Sequence, residues 1–273
     1  MPRYRPRIIA HRGDSAHAPE NTLTAFRLAL EGGADALETD LWLTRDERVV
    51  LFHDPTAERL TGNPCRIADM RLSEVRSLTV RADRGPVRSG DNGPADEGVP
   101  TLDELLAMTP PGVLLVLELK DPRFAEPRHG RALIQAILPR VATRTAVVVS
   151  FSMALLRALK TVCPAVPVGH ITLRQPLPLQ RAELLGPYWP LLVVNPWYVR
   201  MAHRRGRLVA PLDPDLHRRL PRYMRLGVDA VLTSDPAATL ALVQRLAGGP
   251  TTPRPLLGWG SGRRGGARGS AHG

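Results

Sequence analysis

Val113–Lys120 reads VLLVLELK, a nearly unbroken apolar run that ends in an alternating acid and base. A run so short and so apolar suits a strand covered on both faces, and strands of that kind belong to parallel sheets flanked by helices. Parallel neighbours need crossover connections, usually helical, and right-handed in nearly every known case. The chain supplies them. Ile8–Ala10 is a short strand ending at His11-Arg12-Gly13. Leu23, Phe26, Leu28, Ala29 and Leu30 then fall at near-helical spacing until Gly32-Gly33 stops them, and the strand ALETDLWL follows.

The same alternation continues downstream. Thr101 is a predicted N-cap with Glu104 placed for a capping box, and Leu102, Leu105 and Leu106 form the apolar face behind it. After VLLVLELK come a helix over Gly130–Val141, the strand AVVVSF and an amphipathic helix over Met153–Val162. VPVGHIT pairs with a helical LQRAELLG, and LLVVN reads as a strand followed by a short helix near Tyr198–Arg205. RLVAPLD, HRRLPRYMRLG, DAVLTSDP and AATLALVQRLAG complete the series. That makes about eight strand–helix units, and a (β/α)8 TIM barrel takes about 250 residues. A doubly wound sheet is the competing α/β arrangement, but no GxGxxG or Walker pattern follows the first strand. The expected architecture is therefore an α/β TIM barrel over residues 1–247, with a small insertion after the second strand at about 55–99. Within that insertion RADRGPVRSGDNGPADEG is a predicted flexible loop, and a disordered Gly/Arg-rich tail is expected over 248–273.

Net charge is +11 in 273 residues, which raises the question of nucleic acid. The excess arginine is scattered, aromatic residues make up only 4%, and there is no zinc-finger spacing or RNP-like motif, so specific nucleic-acid binding is not expected. The basic charge would instead favour encounter with anionic substrates or surfaces. Two cysteines, Cys65 and Cys163, make no disulfide framework and no CxxC site. The apolar run Ile8–Ala10 is far shorter than a signal-peptide core, and no run approaches the roughly 18 residues of a membrane span. A cytoplasmic protein is expected.

Chemistry concentrates between Ala36 and Asp54. Glu38 and Asp40 sit two apart in a strand, so both carboxylates point to one side. Paired acids in an apolar setting are costly unless a cation offsets them. VVLFHD ends in His53 and Asp54, so a carboxylate pair stands close to an acid/base group. A strand edge with solvated acids and a structural histidine is the bland alternative. Glu118 and Lys120 close the next core strand, again two apart, and His11, Glu38, Asp40, Glu118 and Lys120 all fall at carboxyl ends of strands, where barrel active sites lie.

Taken in order, His11-Arg12-Gly13, Pro19-Glu20-Asn21-Thr22, Glu38-x-Asp40, His53-Asp54 and Glu118-x-Lys120 resemble the glycerophosphodiester phosphodiesterases. The likeness is densest over Ile8–Asp54, continues through Pro100–Lys120 and has weaker echoes at Ser150-Phe151 and GVDAVLTSDP. It implies a TIM-barrel hydrolase that cleaves small-molecule glycerophosphodiesters to glycerol 3-phosphate and an alcohol, in lipid and glycerol metabolism. It further implies that Glu38, Asp40 and Glu118 hold one divalent cation, calcium or magnesium, and that His11 and His53 serve as acid and base. Arg12 and Lys120 would contact the phosphate, with Glu20 also in the site. The physical reading agrees, because a phosphodiester anion must be neutralised before attack and its leaving alkoxide must gain a proton. Water and a substrate hydroxyl both remain open as nucleophile. The resemblance breaks at Leu208–Asp215, where many members carry a WTVN-like segment, so substrate contacts on that side are not carried over. Trp197, after the sixth strand, reads equally as pocket wall or as structural.

His170 could face the barrel mouth but is more simply structural, as are His17, His129, His203, His217 and His272. Asp54 either orients His53 or closes a local turn. Two rivals stand beside the hydrolase. One is a phospholipase D-type barrel enzyme acting on lysophospholipid or sphingomyelin, which secretion and disulfides would favour. The other is a non-catalytic headgroup-binding barrel.

Overall fold

The computed structural model describes residues 4–81 and 97–254. Eight strands form one parallel ring: β1 Arg7–His11, β2 Ala36–Leu43, β3 Leu114–Leu119, β4 Ala146–Ser150, β5 Val168–Thr172, β6 Leu184–Pro187, β7 Leu208–Val209 and β8 Ala230–Thr233. Chain order is also spatial order from β1 to β7, and β8 pairs back onto β1. Between β7 and β8 the ladder is reduced to one residue. The Asp229 N–H donates to the Val209 carbonyl at 2.9 Å, and the Asp229 carboxylate accepts from the Val209 N–H at 2.8 Å. The barrel is nearly closed, with its seam at β7–β8.

Eight helices complete the units: α1 Leu23–Glu31, α2 Leu102–Met108, α3 Pro127–Ala142, α4 Met153–Val162, α5 Trp189–Val194, α6 Tyr198–Arg204, α7 Leu216–Leu226 and α8 Pro236–Ala247. The expected capping box is present, with the Glu104 N–H donating to Thr101 Oγ1 and the Thr101 N–H donating to Glu104. Side chains sort by strand parity. Leu37, Leu41, Leu115, Leu117 and Val148 face outward into the main core beneath the helices. Ile9, Ala36, Val116, Val149, Leu184 and Ala210 face inward and plug the barrel.

Two readings of the sequence are corrected here. LQRAELLG does not form a helix; its end, Leu184–Pro187, is β6, buried throughout. LLVVN is not a strand, since Trp189–Val194 is helical with Pro190 in its first turn. Short apolar runs carry too little periodicity to separate strand from helix, and here tertiary demand decided. Only Leu184–Pro187 lies where the sheet needs a strand, with Gly186 beside Ile171, whereas Val193 and Val194 are exposed. No helix lies between β5 and β6.

The insertion after β2 is built on a small core of its own, in which Trp42, Phe52, Leu60, Ile67, Val75 and Val99 pack together. Val49–Leu51 starts it as an antiparallel neighbour of β2. Most of the loop expected to be flexible, residues 82–96, lies outside the described residues, as does 255–273 of the tail. The first part of that tail is structured, because Thr252–Pro253 pairs in parallel with Tyr4–Arg5 below the barrel. Among the described residues no helix is long and apolar enough to cross a membrane.

Candidate active site

The register of the first three strands assembles the site. His11 pairs with Glu38, and Asp40 pairs with Glu118, so four of the expected site side chains meet at the carboxyl end of the ring. The turn after β1 is tight. Arg12 has φ 58° and Gly13 φ 82°, and a Cβ on Gly13 would lie 2.6 Å from the Ala25 backbone. Only glycine tolerates both demands. That turn aims the Arg12 N–H at the Glu38 side chain and backbone carbonyl, each at 3.0 Å.

Glu38, Asp40 and Glu118 are all buried, and each offers an oxygen within 4.8 Å of the others. Two cations face them. Lys120 Nζ stands 2.6 Å from Glu118 and 3.2 Å from Asp40, and Arg12 Nε stands 3.1 Å from Asp40. Burial drives the Glu38 carboxyl well above its ordinary range, and the neighbouring Asp40 and Glu118 push it the same way. Glu118 is raised chiefly by burial, against the pull of Lys120. For Asp40 burial acts upward too, but Lys120, Arg12, His53 and the Asn21 amide outweigh it and hold the group below the usual carboxylate range. Asp40 Oδ1 is buried, and the Lys120 ammonium at 3.2 Å is the cation that faces it. Three converging hard oxygen donors, one of them forced upward by burial and by its acidic neighbours, fit a divalent cation.

The structure brings every expected site residue to this mouth. His11, Arg12, Glu38, His53, Glu118 and Lys120 line one cavity of about 220 Å³. Burial beside Arg12 lowers His11 to about 4, which leaves its imidazole neutral at neutral pH. His53 Nδ1 lies 2.7 Å from Asp54, whose carboxylate also accepts from Arg59 Nε at 2.5 Å. Asp54 therefore orients His53 through Nδ1. Glu20 takes Arg12 at 3.0 Å and Arg59 at 2.6 Å, tying the first loop to the insertion.

Two contributors were given no role by the sequence reading, although Asn21 stood within one of its motifs. Asn21, buried and at φ 57°, donates to Asp40 at 3.0 Å while accepting from Thr39 at 2.7 Å, so it sets the carboxylate's orientation. Its place beside the N-cap Thr22 was the available signal. Arg59 carried no signal, since it lies in the irregular insertion. His170 shares the parity of Val168 on β5 yet borders the cavity, and its Nε2 meets the Phe151 carbonyl at 3.3 Å. Trp197 does not line this cavity and is 63% exposed. Where the WTVN-like segment is missing, Ala210 and Leu212 form the wall.

A barrel whose mouth joins buried acids, two cations and two histidines defines a hydrolase-type α/β barrel built for an anionic ester. The comparisons specify it. The family model for the glycerophosphoryl diester phosphodiesterase family matches residues 11–238, and the chain belongs to that family. A glycerophosphodiester phosphodiesterase from Caldanaerobacter subterraneus subsp. tengcongensis is 31% identical over 250 residues, covering 87% of this chain and 98% of the relative. The fold is shared with a glycerophosphodiester phosphodiesterase from Parabacteroides distasonis, at TM-score 0.74 and 22% identity, covering 90% of this chain and 100% of the other. It is also shared with an Oleispira antarctica phosphodiesterase solved with the product sn-glycerol-3-phosphate, at TM-score 0.71 and 22% identity, covering 87% and 96%.

Proposed function

We propose that the chain hydrolyses glycerophosphodiesters to glycerol 3-phosphate and an alcohol, with Glu38, Asp40 and Glu118 holding one divalent cation, calcium or magnesium. The observation that carries this reading is the convergence of those three buried carboxylates beside Arg12, Lys120 and both histidines in one cavity. When bound, the cation supplies charge neutralisation at the phosphate and polarises its oxygens. Arg12 and Lys120 bind and orient the non-bridging oxygens, helped by Glu20, which fixes the Arg12 guanidinium. Neutral His11 takes the proton of the attacking hydroxyl, whether from water or from the substrate's glycerol. His53, held in orientation by Asp54, delivers a proton to the departing alkoxide.

The remaining inner wall, from Ile171, Leu184, Ala210, Leu212 and Leu232, is apolar and receives the carbon-bearing part of the substrate. That wall is the one observation favouring lysophospholipid diesters as a second substrate class. Cys65 and Cys163 are free thiols, which does not add support for a secreted phospholipase D-type relative. A cytoplasmic setting in lipid and glycerol metabolism suits a chain with unbridged cysteines. Release of choline or ethanolamine from the corresponding glycerophosphodiesters, measured with added calcium, with magnesium and with chelator, tests the proposal. Metal-dependent release of glycerol 3-phosphate is expected. Turnover untouched by chelation would remove the cation from the account, and no turnover with either metal would favour the non-catalytic barrel.

A further inference from the structure

We propose that the segment after β5 together with α5 and α6 is a docking surface for an anionic lipid bilayer. Leu177, Val194 and Trp197 line one groove with Arg200 and Arg204. Those three apolar side chains are 45%, 74% and 63% exposed. The Asn195 amide donates to the Pro176 carbonyl at 2.8 Å, so the two segments form one continuous face. Leu173, Leu179 and Val193 in the same segments are also exposed, which gathers most of the large exposed apolar residues of the described chain into one stretch.

Charge decides between the candidate occupants. The groove itself carries Arg200 and Arg204 and no acid; Arg174 lies on the segment after β5, and from Leu173 to Arg204 the single acid is Glu183, at the foot of β6. Glu183 is already engaged by Lys160 at 2.8 Å, and among the described residues none of these arginines pairs with a carboxylate. A second copy of the chain would set arginines against arginines. An anionic bilayer answers both halves of the surface: leucine, valine and tryptophan enter the headgroup boundary, and the arginines keep their charge among lipid phosphates. Each basic residue close to such a surface multiplies partitioning by about five-fold. Arg200 also lies over the Trp197 ring at 5.8 Å, an amphipathic pair suited to an interface. Both segments begin at the carboxyl ends of β5 and β6, the end of the ring that carries the cavity mouth.

Sedimentation of the full chain with vesicles of phosphatidylcholine alone, and of phosphatidylcholine mixed with phosphatidylglycerol, tests the surface. Binding to the mixed vesicles is expected, weakened by salt, with little to the neutral ones. Val194→Asp/Trp197→Ala and Arg200→Glu/Arg204→Glu should each lower that binding by at least about ten-fold. Both variants should hydrolyse a dissolved glycerophosphodiester at the rate of the unaltered chain, which also reports that they fold. No binding to the mixed vesicles, or binding that neither variant weakens, overturns the proposal. So does a dimer of the unaltered chain that both variants split. Failure of the hydrolysis assay in every form would count against the proposed activity and leave the vesicle result to stand by itself.

Discussion

The two halves of the barrel interior are built to opposite rules. On β1 to β3 the inward positions nearest the mouth carry His11, Glu38, Asp40 and Glu118, with Lys120 just beyond. On β5 to β8 the corresponding positions carry Ile171, Gly186, Ala210, Leu212 and Leu232, with no charged group among them. The first half keeps like charges buried together, which favours neither folding nor solubility. The second is ordinary packing. Strain of this kind persists where function requires it, and it is on this ground that we propose the chemistry for the first half and the shaping of what is bound for the second.

The sharpest way to break that contrast is to neutralise one acid. Glu38→Gln should lower turnover by about 10³-fold or more, because charge stabilisation at a transferring phosphoryl group is the largest single contribution. Its metal-free stability should not fall and should rise by up to about 1 kcal/mol, since a buried repulsion is relieved. On the opposite wall, Leu212→Ala should leave kcat within a few-fold and act mainly on KM. Thermal melting and steady-state kinetics on both variants check the pair. Comparable losses of turnover from the two substitutions would erase the distinction.

The same contrast explains what the sequence revealed. Each residue of the first half answers a chemical demand at a fixed strand position, so Glu38-x-Asp40, His53-Asp54 and Glu118-x-Lys120 stood out against apolar runs, and register then brought them together. The second half answers only the demand to be apolar and to fit. Leu184–Pro187 and Leu191–Asn195 are interchangeable on that criterion, which is why strand and helix were exchanged there. The contact of Asn21 with Asp40 stayed hidden because it is reached through a left-handed turn that no spacing rule describes. Arg59 stayed hidden because the insertion that carries it has no periodicity.

Within the polar half, the two histidines should separate by leaving group. His53→Ala should slow hydrolysis of natural diesters by about 10²–10⁴-fold yet spare bis-nitrophenyl phosphate, whose leaving group needs no proton. His11→Ala should slow both. With His11 held near 4 by burial, the unaltered enzyme should keep its base deprotonated at neutral pH and lose activity only as the pH falls towards that value. Equal losses on both substrates from both variants would void the division of roles.

Asn21→Ala should cost less, about 10–100-fold in metal affinity or rate, because it frees Asp40 without removing it. The smallest effect on chemistry is expected from the apolar side. A Cβ at Gly169 would stand 2.7 Å from Val149 Cγ1, so Gly169→Ala should destabilise the fold by about 1–3 kcal/mol while kcat per folded molecule stays near that of the unaltered chain. Denaturation midpoints compared with active-site titration distinguish the two quantities.

The central claim is that the three buried acids exist to hold a cation, and direct binding tests it without recourse to turnover. Calorimetric titration of chelator-treated protein with calcium and with magnesium should show one site for at least one of the two ions, lost or strongly weakened in Glu38→Gln and in Asp40→Asn and kept in Leu212→Ala. Absence of binding by either ion, or a site that both acid substitutions leave intact, would contradict it.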